Sequence, residues 1–247
     1  MPSKVAVIVA AAGAGTRFGG PVKKTFAQID GRPVMIRTLE LFVNREDVCQ
    51  IVLAVSEEDY DDVKTKYGAN LGFMGVRLVK GGAERCQTVA NALAAVDDQA
   101  ELVAVHDAVR PCLTAEKITE VFEAAEKHGA AMLASPVNET IKRVDGEKVI
   151  QETVDRRGLY LAQTPQVFKR QVIVEAYAKL GGQKGHFTDD AQVVERIGVR
   201  TVVVENDLSN VKITRPSDLK LAEAILKALP KPKKPGPAGP FEAEKMW

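Results

Sequence analysis

The chain has 247 residues, 45% hydrophobic and 27% charged, which is ordinary globular usage and excludes wholesale disorder. With 34 Lys and Arg against 33 Asp and Glu, the net charge is +1, so no global field draws the protein to nucleic acid or an anionic membrane, and any basic site is local. Three cysteines, Cys49, Cys86 and Cys112, show no CxxC or Cys/His spacing; they exclude a disulfide framework and a zinc site and read as buried small residues. Met1 to Val9 is too short for a signal peptide and no apolar run approaches membrane-spanning length, so a reducing cytoplasm is the expected setting.

In chain order, Val5 to Ala11 is a continuous apolar run ended by glycines, as expected of a central parallel strand covered on both faces. Further strands are expected at Ile51 to Val55, Val76 to Val79, Leu102 to Val105, Ala131 to Ser135 and Thr201 to Val204. Helical patterns fall between them at Val34 to Val43, Glu57 to Tyr67, Thr88 to Val96 and Ala115 to Lys127. This alternation predicts an α/β fold, a Rossmann-like, mainly parallel sheet flanked by helices, with ligands beyond the carboxyl ends of the strands. Residues 138–157 break the alternation. Two short β-like runs, Thr140 to Val144 and Val149 to Val154, flank Asp145-Gly146, a hairpin signal. A hairpin with no sheet behind it is marginally stable, so a projecting β-arm packed on a second subunit, in a homodimer, is expected. Helices resume at Arg170 to Lys179, Asp189 to Ile197 and Ser217 to Leu229. One domain over residues 1–229 is expected, followed at 230–247 by a Pro- and Lys-rich tail that cannot hold a helix or strand.

The first strand runs into Ala11-Ala12-Gly13-Ala14-Gly15-Thr16-Arg17-Phe18-Gly19-Gly20, with Lys23 and Lys24 beyond. Glycines let backbone N–H groups approach a polyphosphate, and Arg17 with a following lysine supplies positive charge. A bare GxG also serves a strand-to-helix turn for purely steric reasons. A Walker A loop fails, because no glycine stands immediately before the lysine pair. A dinucleotide loop is disfavoured by GxGxxxG spacing at Gly13, Gly15 and Gly19 and by a second strand that ends at Val55-Ser56, far beyond the roughly 20 residues at which its acidic residue should stand, although Glu57 and Glu58 keep a nicotinamide-dependent oxidoreductase in view.

This loop, with Lys24 downstream, resembles the signature of sugar-phosphate nucleotidyltransferases. The motifs Gly81-Gly82-Ala83-Glu84-Arg85, His106-Asp107-Ala108-Val109-Arg110-Pro111, Thr153-Val154-Asp155-Arg156, Gln163-Thr164-Pro165-Gln166, Phe187-Thr188-Asp189-Asp190-Ala191 and Asn210-Val211-Lys212-Ile213-Thr214-Arg215-Pro216 narrow the resemblance to the 2-C-methyl-D-erythritol 4-phosphate cytidylyltransferases, over about residues 4–228. The resemblance implies transfer of CMP from CTP to a sugar-alcohol phosphate, with Mg²⁺ carried mainly by the CTP phosphates. It implies that Arg17 and Lys24 stabilise the transition state and that Lys212 and Arg156 position the attacking phosphate. Ala11, Ala12, Gly13, Gly15, Gly82, Arg85 and Thr88 would bind the nucleotide. Asp107 would meet substrate hydroxyls, the metal or its water. Arg110, Thr164 and Thr188 would line the acceptor side, and Thr140 and Arg156 on the arm would serve the neighbouring subunit's site. His106 reads as an orienting or core residue.

Three departures from the family pattern stand out. Lys23-Lys24-Thr25 replaces Pro-Lys-Gln, which leaves Lys23 as the alternative catalytic lysine, with Lys24 in the better register. Val109 adds a branch where alanine is usual, and Glu139-Thr140 replaces Asp-Thr. Two other readings remain open: a ribitol 5-phosphate cytidylyltransferase, and a non-catalytic nucleotide sensor on the same fold.

Overall fold

The computed structural model describes residues 3–13, 15, 18–19, 23–180 and 187–229. The expected tail at 230–247 lies outside them. The first apolar run forms strand β1 (Val5–Ala11), and its two faces are both buried: Val5, Val7 and Val9 enter one core, Ala6 and Ile8 the other. Nothing polar interrupts the strand because neither face meets water. After it come a two-residue hairpin, β2 (Gln28–Ile29) and β3 (Arg32–Pro33), then α1 (Val34–Glu40), β4 (Val48–Val55), α2 (Glu57–Phe73), β5 (Val76–Lys80), α3 (Arg85–Leu93), β6 (Leu102–Asp107), α4 (Ala115–His128) and β7 (Ala130–Pro136). The arm follows as β8 (Ile141–Val144) and β9 (Ile150–Val154), then β10 (Tyr160–Lys169), α5 (Arg170–Leu180), α6 (Asp190–Glu195), β11 (Val202–Glu205) and α7 (Pro216–Ala228).

Seven strands form one sheet in the order β11-β7-β10-β6-β1-β4-β5. All pairings are parallel except those of β10, which runs antiparallel between β6 and β7. Side chains of α1, α2 and α4 fill the core on one face, and those of α3, α5 and α6 fill the other. A third cluster, including Ile29, Val34, Cys112 and Ile213, packs against Leu219 and Ile225 of α7.

Helix ends follow local chemistry. Ser56 and Thr114 accept hydrogen bonds from the third residue of α2 and α4, and Gly129, at φ 90°, closes α4 in the left-handed region that favours glycine. α2 runs on through Gly68 and Gly72 to Phe73, beyond the expected end at Tyr67. The mainly parallel sheet is as expected, but β10 was not foreseen. Its sequence carries Pro165 inside a polar stretch, and its pairing with β7 jumps from Ala162 to Gln166, so the alternation that betrays a strand is broken by a bulge.

The hairpin stands apart as its own two-stranded sheet and is largely exposed. Its loop is longer than the two-residue turn that Asp145-Gly146 suggested. Asp145 Oδ1 accepts from the backbone of Glu147 and Val149, and it is Lys148, at φ 65°, that turns left-handed. Cys112 is buried, with burial pushing its thiol up to about 12, whereas Cys49 and Cys86 are half-buried. All three are free thiols.

Candidate active site

The cleft lies at the carboxyl ends of β1, β5 and β6, where strand order departs from β1 in both directions. Its floor is backbone, from Ala10 to Gly13 after β1 and at Gly82 and Ala83 after β5. These two loops touch closely. A Cβ on Gly81 would stand 2.7 Å from Ala12 Cβ, and one on Gly82 would stand 2.4 Å from Gln87 Cβ, so glycine is required there by space. The Gly81 N–H donates to the Val55 carbonyl at 2.6 Å, and the Gly82 N–H donates to the Thr88 hydroxyl at 3.1 Å. Thr88 lines the cleft but is buried, and its hydroxyl closes this turn.

Two lysines from distant segments of the chain line the cleft. Lys24 comes from the turn after the phosphate loop, and Lys212 from the segment between β11 and α7. That segment is pinned in place: the Ile213 N–H donates to the Val109 carbonyl, and Arg110 Nη1 donates to the Asn210 carbonyl at 2.6 Å. Lys23, the alternative lysine, faces α2, where its Nζ lies 2.9 Å from Asp59 and 3.1 Å from Glu58.

At the end of β6, on the wall of the same cleft, sits Asp107, 7% exposed. Lys212 Nζ lies 2.8 Å from its Oδ2, Arg110 Nε 3.3 Å from the same oxygen, and Arg85 Nε 3.8 Å from Oδ1. Burial alone would raise its pKa, but Lys212, Arg85 and Arg110 outweigh it and hold the carboxyl well below the usual carboxylate range. Arg85 also pairs with the fully buried Asp190 at 2.7 Å, and Tyr177 donates to the other oxygen of Asp190 at 2.6 Å. Burial opposes the Arg85 charge, yet Asp190 and Asp107 together raise its pKa. The Tyr177 phenol is driven up by burial and by Asp190, so it stays a neutral donor.

Behind Asp107, the Thr164 hydroxyl meets the Asp107 N–H and His106 Nδ1, each at 3.1 Å, and His106 Nε2 meets the Arg110 carbonyl at 3.0 Å. His106 is fully buried and orients its neighbours; desolvation lowers its pKa to about 4.

The structure thus gathers Ala11, Ala12, Gly13, Lys24, Gly82, Arg85, Thr88, Asp107 and Lys212 around one cleft. Gly15, at φ 65°, packs beside the stem of Lys24. Arg110 and Thr164 are buried behind Asp107 and do not line the cleft. Thr188 is exposed, with its hydroxyl on Gln192. Thr140 and Arg156 are exposed on the arm; Arg156 Nη1 bonds the Asn138 carbonyl, and neither residue borders the cleft within this subunit. Arg17 lies outside the described residues. Among those described, no group of three His, Cys, Asp or Glu side chains could hold a metal, and no helix is long and apolar enough to cross a membrane.

Motif reading did not isolate Tyr177, Gln163, Gln166 or Asn210 as organisers of the site. Gln166 Oε1 accepts from the Asp190 and Ala191 N–H groups, and Gln163 Oε1 accepts from Asn206 and Asn210. These glutamines stand on β10, the unforeseen strand, and two buried glutamines in a strand were the available signal.

A mainly parallel sheet with a glycine-lined cleft and two lysines at its carboxyl edge defines a nucleotidyltransferase. The family model for IspD, 2-C-methyl-D-erythritol 4-phosphate cytidylyltransferase, matches residues 5–228, and the chain belongs to this family. It is 44% identical over 235 residues to the 2-C-methyl-D-erythritol 4-phosphate cytidylyltransferase of Rhodopirellula baltica, covering 91% of this chain and 95% of that one. Among solved structures, the enzyme of the same name from Thermus thermophilus superposes with a TM-score of 0.73 at 32% identity, covering 92% of this chain and 100% of the other. The 4-diphosphocytidyl-2C-methyl-D-erythritol synthase of Anaerococcus prevotii gives 0.77 at 29% identity, covering 92% and 97%.

Proposed function

We propose that this chain transfers CMP from CTP to 2-C-methyl-D-erythritol 4-phosphate, releasing pyrophosphate and forming 4-diphosphocytidyl-2-C-methyl-D-erythritol, and that it does so in the cytoplasm as a homodimer. The observation that carries the reading is the approach of Lys24 and Lys212 to one cleft floored by glycine-rich backbone. A phosphate oxygen of the acceptor attacks the α-phosphorus of CTP, a new P–O bond forms, and the bond to the β-phosphate oxygen breaks. The acceptor phosphate is already ionised near neutral pH, so no general base is needed. His106, neutral and enclosed, is consistent with that.

The chain's tasks are alignment and charge neutralisation. In this reading Lys24, with Arg17, faces the charge that builds on the transferring group. Lys212 holds the acceptor phosphate, and Arg156 joins it from the partner's arm. Asp107, kept ionised, fixes the Lys212 ammonium. The donor set suits Mg²⁺ brought by the triphosphate: the cleft offers the carboxylates of Asp107 and Glu84, and such an ion leans mainly on phosphate oxygens and water. When bound, the ion neutralises phosphate charge.

The test is pyrophosphate release from CTP and Mg²⁺ with 2-C-methyl-D-erythritol 4-phosphate, run beside ribitol 5-phosphate and a no-acceptor control. Release that depends on the first acceptor is expected. Release with ribitol 5-phosphate alone would change the substrate, and silence with both, in folded protein that binds CTP, would leave a nucleotide sensor.

A further inference from the structure

Lys24 reaches the cleft from a single tight turn. The Lys23 carbonyl accepts from the Phe26 and Ala27 N–H groups at 2.9 and 3.2 Å, and the Lys24 stem runs past Gly15, where a Cβ would meet it at 3.6 Å. The residues on either side of this turn grip α2. Lys23 Nζ donates to both Asp59 carboxylate oxygens at 2.9 Å and to Glu58 at 3.1 Å, and Phe26 lies parallel to Tyr67, with ring centroids 6.3 Å apart. Asp59 is itself held, because the Ser56 hydroxyl donates to its Oδ2 at 2.6 Å at the start of the helix. α2 leaves directly from β4, the parallel neighbour of β1, so the anchor and the phosphate loop spring from adjacent strands.

We propose that Lys23 is a positioning residue for the transfer: its clamp on Asp59 and Glu58, with Phe26 seated on Tyr67, fixes the turn from which Lys24 addresses the triphosphate. The inference rests on the role assigned to Lys24 above. The Lys23 side chain is 34% exposed, Glu58 84% and Asp59 16%; the pair with Glu58 adds little to stability, and the pair with Asp59, still open to water on the lysine side, adds about 1 kcal/mol. The geometry of a transition-state cation is far more demanding, since a displacement of about 1 Å can cost on the order of 100-fold in rate. The clamp has a second effect. Glu58 and Asp59 would repel a polyphosphate approaching this edge, and Lys23 neutralises part of that charge while leaving Lys24 to face the cleft.

The test is steady-state transfer by four variants: Lys23→Met, Lys23→Arg, the pair Glu58→Gln with Asp59→Asn, and the combination of Lys23→Met with that pair. Lys23→Met and the acid pair should each lower kcat about 10-fold with the acceptor KM unchanged, Lys23→Arg should keep most of the rate, and the combination should be no slower than Lys23→Met. Melting temperature and far-ultraviolet circular dichroism should stay near wild type. Wild-type kcat in Lys23→Met, losses that multiply in the combination, or a rate loss matched by a loss of folded protein would each overturn the clamp. Lys24→Ala separates the two levels. If it too keeps full turnover, the role of Lys24 fails and the clamp with it; if it is inactive while Lys23→Met is fully active, the clamp alone fails.

Discussion

At the scale of single residues, the hydrogen bonds of His106 dictate its tautomer and its burial keeps it neutral. The Arg110 carbonyl can only accept, so Nε2 carries the proton, and Nδ1 accepts from the Thr164 hydroxyl, whose oxygen takes the Asp107 N–H. Charging the ring would require that hydroxyl to turn its own hydrogen away and would place an imidazolium in a site closed to solvent, and this burial is what lowers the pKa. With a pKa of about 4 in the fold against 6.5 when free, His106 binds fewer protons folded than unfolded between those values. Its contribution is therefore complete above pH 6.5 and is lost as pH falls through about 4, a difference of about 3 kcal/mol. Urea unfolding across this window should show that slope in the wild type. His106→Gln, which keeps an N–H for the Arg110 carbonyl, should lack it; equal slopes would remove His106 as the responsible group.

The lysines were legible as residues because short motifs carried them, but the turn of Lys23 toward Glu58 and Asp59 was not, because those partners stand on α2, some 35 residues along the chain. Lys24→Ala, remote from the arm, should leave the oligomer intact and lower turnover by roughly 100- to 1000-fold, the effect of losing one preorganised donor to a transition state, about 3–4 kcal/mol. Pyrophosphate release measures it, and near-normal turnover would overturn the role. The Arg85–Asp190–Tyr177 chain was not legible. Its members are local neither to one motif nor to one element, and only the packing of α3 against α5 and α6 brings them together.

At the scale of elements, the arm was legible from its alternating runs and its turn, because a hairpin is a local object. β10 was not, since its partners β6 and β7 lie far away in the chain and Pro165 masks the pattern. Both elements expose apolar side chains: Val149 and Ile150 on the arm are 57% and 61% exposed, and Leu161 at the start of β10 is 50%. An isolated hairpin with such side chains in water gains from being covered, which is the physical ground for the proposed dimer. Ile150→Asp with Leu161→Asp should shift sedimentation from dimer to monomer. Transfer should fall with it and become steeply dependent on protein concentration, because Arg156 sits on the same arm. A monomeric double variant with undiminished kcat would show that each cleft is complete within its own subunit.

At the scale of the whole molecule, alternating helical and apolar runs were enough for a mainly parallel sheet, but not for strand order, which depends on the edge to which each crossover returns. That order matters for the ligand. The cleft joins the ends of β1, β5 and β6, so a nucleotide there ties together strands on both sides of β1, and binding should raise the stability of the sheet as a unit. At about 100 times its dissociation constant, a ligand adds about 2.7 kcal/mol, which for a chain of this size is a rise of roughly 5–10 °C in Tm. CTP with Mg²⁺ should produce it. UTP should produce much less, because in the proposed reading backbone carbonyls of the loops at Ala12 and Gly82 take the cytosine amino group and would be left unpaired against the uracil carbonyl. NADH should produce none. A rise with NADH and none with CTP would refute the nucleotide assignment at its root, whereas equal rises with CTP and UTP would keep the triphosphate site and move base selection away from the loops at Ala12 and Gly82.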